Sequence, residues 1–352
     1  MNTELRDVVR SMLAEQSPPA QVLARCEDGA PFDQKLWRIL ATEMELAGLA
    51  IPEQYGGTGA GWSTVSVVLT ELGRSVAPVP YLGSAVVATA ALLEVGDAEL
   101  LANLAGGSVI AALVVPFATP PGAAGPEPVR VDGDRLTGEV AGVADALAAD
   151  VLLVPTAAGL YEVPATADGV TRRPVASLDL TRPLCDLEFD RAPGRLLAAG
   201  PAGARAVHAA LATGAALLGS EQLGVAEWCL ESTVDYAKTR YQFGRPVGSF
   251  QAVKHRLADV WVAVSQARAV AEHAATSVGT EEQPVATALA QAFCGPVAVR
   301  AAQECVQLHG GIGFTWEHPA HLYLKRAKSD AIGFGTADRH RLALAELVDL
   351  PA

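Results

Sequence analysis

Apolar residues recur through residues 1–108 at helical spacing. Leu36, Ile39, Leu40, Met44 and the small Ala47 stand at i, i+3, i+4, i+8 and i+11, one face of a helix. Ile51-Pro52 and Tyr55-Gly56-Gly57-Thr58-Gly59 interrupt the pattern. Such a glycine cluster suits a turn between helices or a cradle for phosphate. Ser63 is placed to cap a helix over 64–75, with Val65, Val68, Leu69 and Leu72 on one face, and Pro78 and Pro80 end it. Two further helices are predicted over 84–95 and 98–104.

The period changes between 109 and 195. Apolar or alternating runs at 109–115, 129–131, 136–140, 151–155, 161–163 and 184–189 are separated by turn residues such as Asp132-Gly133-Asp134 and Asp168-Gly169. Short strands at this spacing predict a small barrel or sandwich. From about Gly203 the helical period returns. One very long helix is predicted over 204–240. A second follows, with Phe250, Val253, Leu257, Val260, Trp261, Val264, Ala267 and Val270 as a continuous apolar stripe, then helices over 284–308, 322–331 and 337–348. Long helices joined by short corners predict a four-helix bundle. The expected fold is therefore mainly α with a small β domain: an N-terminal helical domain (1–108), a middle β barrel or sandwich (109–195) and a C-terminal four-helix bundle (196–352).

Composition agrees with a well-buried chain. Of 352 residues, half are hydrophobic and 18% are charged. The net charge of −13 argues against a nucleic-acid partner or an anionic membrane. The longest basic stretch, Lys325-Arg326-Ala327-Lys328, reads as a solvated strip. The longest apolar runs are broken by Gly and Pro, so no membrane-spanning helix is expected. Five scattered cysteines without a C-x-x-C pair, and no apolar run of signal length, predict free thiols and a cytoplasmic protein. His309, His318 and His321 lie close in sequence, but their spacing does not suggest a metal site.

The stretch 236–251, YAKTRYQFGRPVGSFQ, reads as a corner between helices, with Ser249 as N-cap of the second. Proline and two glycines there leave backbone N–H groups free. The nearby Arg240 suits a phosphate-rich ligand, although a solvated arginine in an ordinary hairpin is the plainer alternative.

Four segments resemble the acyl-CoA dehydrogenase family over nearly the whole chain. They are GLAIPEQYGGTGAG (48–61) with LTELGRSVAPVP (69–80), SLDLTR (177–182), YAKTRYQFGRPVGSFQAVKHRLADV (236–260) and QECVQLHGGIGFTWEHPAHLYLKRAKSD (303–330). The resemblance implies a helical–β–helical fold that binds FAD and an acyl-CoA thioester. In the family a glutamate removes the α-proton, and a hydride passes from the β-carbon to the flavin. The ADP end of FAD is gripped by the bundle of a neighbouring subunit. The gripping positions match at Arg240, Gln242, Phe243, Val247, Phe250 and Gln251, and again at Gln307, Leu308, Gly310 and Gly311. By this resemblance Arg240 pairs with the diphosphate and Gly310-Gly311 lets backbone approach it.

The departures lie elsewhere. The family base belongs to a Glu-Gly-Thr, but here the segment reads Gly333-Phe334-Gly335-Thr336 and the base position is Phe334. The isovaleryl and long-chain branches place the base on the first long bundle helix, which falls near Gly214. Glu221 lies seven residues on, about 10 Å along the helix, and is a weak alternative. The flavin-ring contacts of the β domain are replaced by ALVVPFATPPGAAG (112–125) and GEVAGVADA (138–146), whereas Ala149-Asp150 still matches.

An intact ADP grip beside a missing base leads to one main expectation. The chain is one subunit of an α2β2 acyl-CoA dehydrogenase and lends its FAD half-site to a catalytic partner subunit. The expected substrate is an acyl-CoA, on family analogy a steroid side-chain CoA as in the actinobacterial branch, and the expected electron acceptor is an electron-transferring flavoprotein. Two alternatives stand beside it: a self-sufficient homo-oligomeric enzyme whose base is Glu221, Asp330 or Asp338, and a purely structural partner.

Overall fold

A computed structural model describes residues 2–30, 32–123 and 128–350. Six α-helices come first: α1 (Asn2–Gln16), α2 (Pro19–Asp28), α3 (Gln34–Arg38), α4 (Trp62–Ser75), α5 (Thr89–Val95) and α6 (Ala98–Ala105). The helix predicted around residues 36–47 is broken. After α3 the chain widens into a π-helical turn, Ile39–Glu43, and Glu45 adopts a left-handed φ of 56° before a short 3-10 turn. The glycine cluster is a turn. Gly56 and Gly59 have positive φ, and a Cβ on Gly57 would lie 2.1 Å from the Ile51 carbonyl oxygen. Ser63 does not cap α4. Gly61, at φ 79°, occupies the N-cap position, so the helix starts one residue before Ser63.

Strands follow: β1 (Ala111–Leu113), β2 (Val129–Asp132), β3 (Arg135–Ala144), β4 (Val151–Thr156), β5 (Gly159–Pro164), β6 (Val170–Val175), β7 (Leu184–Pro193) and β8 (Arg195–Ala199). They form two four-stranded sheets, ordered β1-β4-β5-β8 and β2-β3-β7-β6. Val140, Leu187 and Phe189 from one sheet and Leu152, Val154 and Val163 from the other share a core, which makes the pair a sandwich. The edge strands β6 and β8 escaped the sequence reading. The first carries Arg172 and Arg173 and shows no apolar run, and the second, residues 196–199 after Arg195, is a short apolar run that leads directly into α7 and leaves Leu196 exposed. Because β8 pairs with β5, the strand region ends at Ala199 and not at 195.

Among the described residues that remain, the regular structure is helical except for one hairpin. Helix α7 (Gly200–Thr239) spans 40 residues and is followed by β9 (Tyr241–Gln242), β10 (Arg245–Pro246), α8 (Gln251–Ser277), α9 (Gln283–His309), α10 (Ala320–Asp330) and α11 (Ala337–Leu347). Small residues let α7 lie against its neighbours. A Cβ on Gly224 would sit 1.9 Å from the Thr70 carbonyl oxygen, and one on Gly73 2.2 Å from that of Glu221, so the α4 and α7 backbones touch. The segment Gln283–Phe314 is apolar and long enough to span a bilayer, contrary to the expectation from its interrupted runs. Its most apolar window is 61% buried inside the protein, as the core helix of a bundle is. Arg326 departs most from expectation: it is fully buried and does not belong to a solvated strip.

Candidate functional site

Two of the family-like segments meet at one end of the bundle. The Tyr236 hydroxyl donates to the His309 carbonyl oxygen at 3.2 Å, and the two rings stack with centroids 4.4 Å apart. His309 is buried, and its Nδ1 lies 2.7 Å from the Cys305 carbonyl oxygen; a carbonyl only accepts, so Nδ1 carries the proton. This clamp fixes the end of α9 against the end of α7 and so brings Gln307–Gly311 next to 240–250.

The expected helical corner is a β-hairpin. Gln242 pairs with Arg245 and Tyr241 with Pro246, and the two turn residues, Phe243 and Gly244, both have left-handed φ (53° and 75°). That is the type I′ geometry whose twist matches paired strands. A phenylalanine at positive φ costs about 1–3 kcal/mol, so the fold holds Phe243 there against its own preference. The ring is 88% exposed, with its edge toward Phe250. The Arg245 guanidinium lies over the Phe250 ring, 3.8 Å from its centroid. The 3-10 turn after β10, Val247–Ser249, lies so close to α7 that a Cβ on Gly248 would sit 2.8 Å from the Ala237 carbonyl oxygen. Ser249 does not cap α8. Phe250 occupies the N-cap position, and the Ser249 Oγ is buried without a hydrogen-bond partner.

The surface this creates is open and polar at the backbone, with apolar rings around it. Arg240, Gln242, Gln251 and Gln307 are exposed, while Val247, Phe250 and Leu308 are half-buried. Arg240 makes no ion pair among the described residues. A Cβ on Gly310 or Gly311 would meet nothing within 4 Å. Tyr241, Phe314 and Trp316 are also largely exposed. A cation without a counter-ion and two glycines facing open space suit the diphosphate end of a dinucleotide, with Phe243 free to cover its ring.

The other place is closed. Phe334 is 4% exposed at φ 54°; its N–H donates to the Phe117 carbonyl oxygen at 2.8 Å, and its own carbonyl accepts from His340 Nε2 at 2.8 Å. Its ring meets that of Phe117 edge-on, 5.6 Å between centroids. A Cβ on Gly214 would lie 2.7 Å from Phe334 Cζ. The two alternative base positions, 120 residues apart, therefore face each other. Neither carries an acid, and one ring fills the space of both. The cavity left beside it measures ≈ 30 Å³. A dry cavity of about 150 Å³ is what one benzene needs, so neither a three-ring flavin nor a thioester chain fits here.

Asp145 is the one carboxylate in that cavity wall, and the sequence reading missed it. Its Oδ2 accepts from the Gly83 N–H at 3.0 Å, near the start of the helical segment Tyr81–Ala88. Burial pushes its carboxyl up, with Arg182 opposing. The available signal was its place in 138–146, where the expected flavin contact is absent. Ala124 and Gly125, the end of the other altered segment, lie outside the described residues.

The weak base candidates are engaged elsewhere. Glu221, 2% exposed, takes both oxygens to Arg182 Nη2 at 2.7 and 2.6 Å and also pairs with Arg326. Burial disfavours its charged form, but the two guanidinium groups outweigh this and hold its carboxyl below the usual range. Asp330 lies 2.5 Å from Arg182 Nη1, and Asp179 accepts from Arg326 Nε at 2.8 Å. This buried network ties the loop 177–182 to α7 and α10, so SLDLTR serves to join the sandwich to the bundle. Asp338 is exposed and pairs with Arg341.

Residues 2–105 match the acyl-CoA dehydrogenase N-terminal domain, and 202–348 match the C-terminal domain. The chain belongs to the acyl-CoA dehydrogenase family. It is 38% identical over 331 residues to the acyl-CoA dehydrogenase IpdE2 of Mycobacterium tuberculosis, covering 93% of this chain and 91% of that protein. A chain of the ChsE4-ChsE5 complex from the same organism superposes with a TM-score of 0.88 at 30% identity, over 100% of this chain and 98% of that one. A chain of a Tcur3481-Tcur3483 steroid acyl-CoA dehydrogenase variant does so with 0.87 at 32%, over 99% and 97%. Both solved relatives are complexes named for two different proteins.

Proposed function

We propose that this family member is the base-lacking subunit of a hetero-oligomeric acyl-CoA dehydrogenase and completes an FAD site whose flavin ring and catalytic glutamate belong to a partner subunit. The observation that carries this reading is the closed Phe334–Gly214 contact, which leaves ≈ 30 Å³ where the chemistry of the family needs an acid and a ligand. The exposed apolar rings around the hairpin support a partner seated there. So do the two-protein complexes among the structural relatives.

Bound FAD supplies hydride acceptance from an acyl-CoA. What this chain contributes is binding and orientation. Arg240 offsets diphosphate charge, the Gly311 N–H donates to a phosphate oxygen, and Gly310, whose own N–H is held by the Gln307 carbonyl, leaves room for the diphosphate to approach the backbone. Phe243 covers the adenine end, while Gln242, Gln251 and Gln307 offer amide donors and Val247, Phe250 and Leu308 supply apolar backing. We assign residues 1–108, 109–199 and 200–352 to three domains, and we place the assembly as an α2β2 complex in the cytoplasm with an electron-transferring flavoprotein as acceptor. A polycyclic, steroid-derived acyl-CoA is the proposed substrate, on the name of the Tcur3481-Tcur3483 relative.

Purification tests the reading directly. Alone, the chain should be colourless and inactive; co-expressed with its catalytic partner it should give a yellow, active complex. A yellow, active preparation of this chain by itself overturns the proposal.

A further inference from the structure

A second cavity lies on the far side of His340 from Phe334, between α5, α7, the start of α9 and α11. Its volume is ≈ 470 Å³ and its walls are mostly apolar, among them Trp62, Leu93, Ala209, Ala212, Ala288 and Leu347. In a dry apolar cavity about 150 Å³ accommodates one benzene, so this space suits three or more fused rings. Thr287 lines it and is 4% exposed, yet its Oγ1 is buried without a hydrogen-bond partner. A helical threonine usually bonds the carbonyl one turn back. A buried hydroxyl without that bond is costly, and its two accessible helical rotamers let it turn toward a ligand oxygen. Among the described residues of the wall there is no lysine or arginine, and the one carboxylate is Glu94. The wall's imidazoles are His208 and His340, the latter held by the Phe334 carbonyl, so a phosphate-bearing ligand finds no permanent countercharge.

We infer that this cavity binds a neutral, fused-ring ligand of three or more rings bearing a hydroxyl or keto oxygen, which Thr287 recognises. The site is separate from the Phe334 position. His340 stands between them, lining the cavity while donating to the Phe334 carbonyl. The inference does not depend on the function proposed above.

Calorimetric titration of the full-length protein, with its partner subunit where the two co-purify, tests it with 9-hydroxyphenanthrene as probe. Wild type should bind it, and Ala212→Phe, which fills the cavity, should lose that binding while any site on the partner is unaffected. Thr287→Val, which keeps the shape and removes the hydroxyl, should weaken the probe about fivefold and leave phenanthrene unchanged. Phenanthrene-9-carboxylate should bind at least about tenfold more weakly than the neutral probe. Absence of binding to wild type, equal binding to Ala212→Phe, indifference to Thr287→Val, or equal affinity for the carboxylate overturns the assignment. Displacement of the probe by coenzyme A also overturns it, because the cavity would then belong to a thioester site.

Discussion

The hairpin with its glycine loop and the Phe334 contact are built from opposite materials. In the first, side chains that carry charge and aromatic surface stand in solvent, one hydroxyl is orphaned, and glycines face open space. In the second, every neighbour is in contact: Phe334, Phe117, Val87 and Gly214 close the volume, and backbone hydrogen bonds pin the loop. A surface that leaves polar groups unsatisfied and large rings exposed is incomplete by itself. A packed core has no such deficit. The two family-like regions thus differ in how complete they are. One leaves charge, backbone and aromatic surface uncovered, and the other is packed shut.

The largest effect should come from reopening the closed side. Phe334→Ala is expected to cost about 3–5 kcal/mol in denaturant unfolding, because a fully buried ring leaves a cavity its neighbours only partly fill. Phe334→Glu should destabilise as well and should not give the isolated chain dehydrogenase activity, since a carboxylate alone does not make room for flavin and thioester. An active Phe334→Glu chain would break the comparison.

On the open side, Arg240→Ala should leave the melting temperature of the chain unchanged and weaken FAD retention by the complex by about 10- to 100-fold, the range of a lost charge-assisted hydrogen bond. Unchanged FAD affinity would mean that the chain is only a structural partner. Phe243→Ala should lower FAD retention by a smaller factor of about threefold and should not destabilise the fold, because the ring is exposed.

The smallest effect concerns the buried network behind the closed side. Burial and the neighbouring Glu221 push the Asp330 carboxyl up to about 8, with Arg182 and Arg326 opposing. Asp179, beside Arg326, adds to the same upward push. A carboxyl raised in the folded state binds a proton that the unfolded chain has released. Its contribution to stability is therefore complete below the unfolded value and declines as pH rises toward 8. Urea unfolding of wild type and Asp330→Asn from pH 5 to 8.5 should show the wild type losing stability relative to the variant across that window. Parallel curves would place the proton elsewhere.

How much of this was legible in the sequence differs by element. The long bundle helices and the buried strands were, because apolar spacing repeats within each segment. The edge strands β6 and β8 were not: β6 is interrupted by Arg172, Arg173 and Pro174, and β8 is five residues that run straight into α7. The turn at Phe243-Gly244 was hidden because phenylalanine is a poor sign of a left-handed position. Ser63 and Ser249 had the right chemistry for caps, yet the chain starts its helices elsewhere. Arg326 looked solvated because three of four neighbouring positions are polar or small, whereas its carboxylate partners come from 105 and 147 residues away.

By itself the sequence determined the order of helices, strands and helices, the motifs that place the chain in its family, and the absence of an acid at Phe334 and Gly214. These are properties of residue type and local period. Only the tertiary structure decided that Phe334 and Gly214 occupy one volume, that Glu221 and Asp330 belong to Arg182 and Arg326, and that the corner after α7 is an exposed hairpin. Each of those depends on which distant groups share a space, and burial and charge pairing are settled only when the chain is packed.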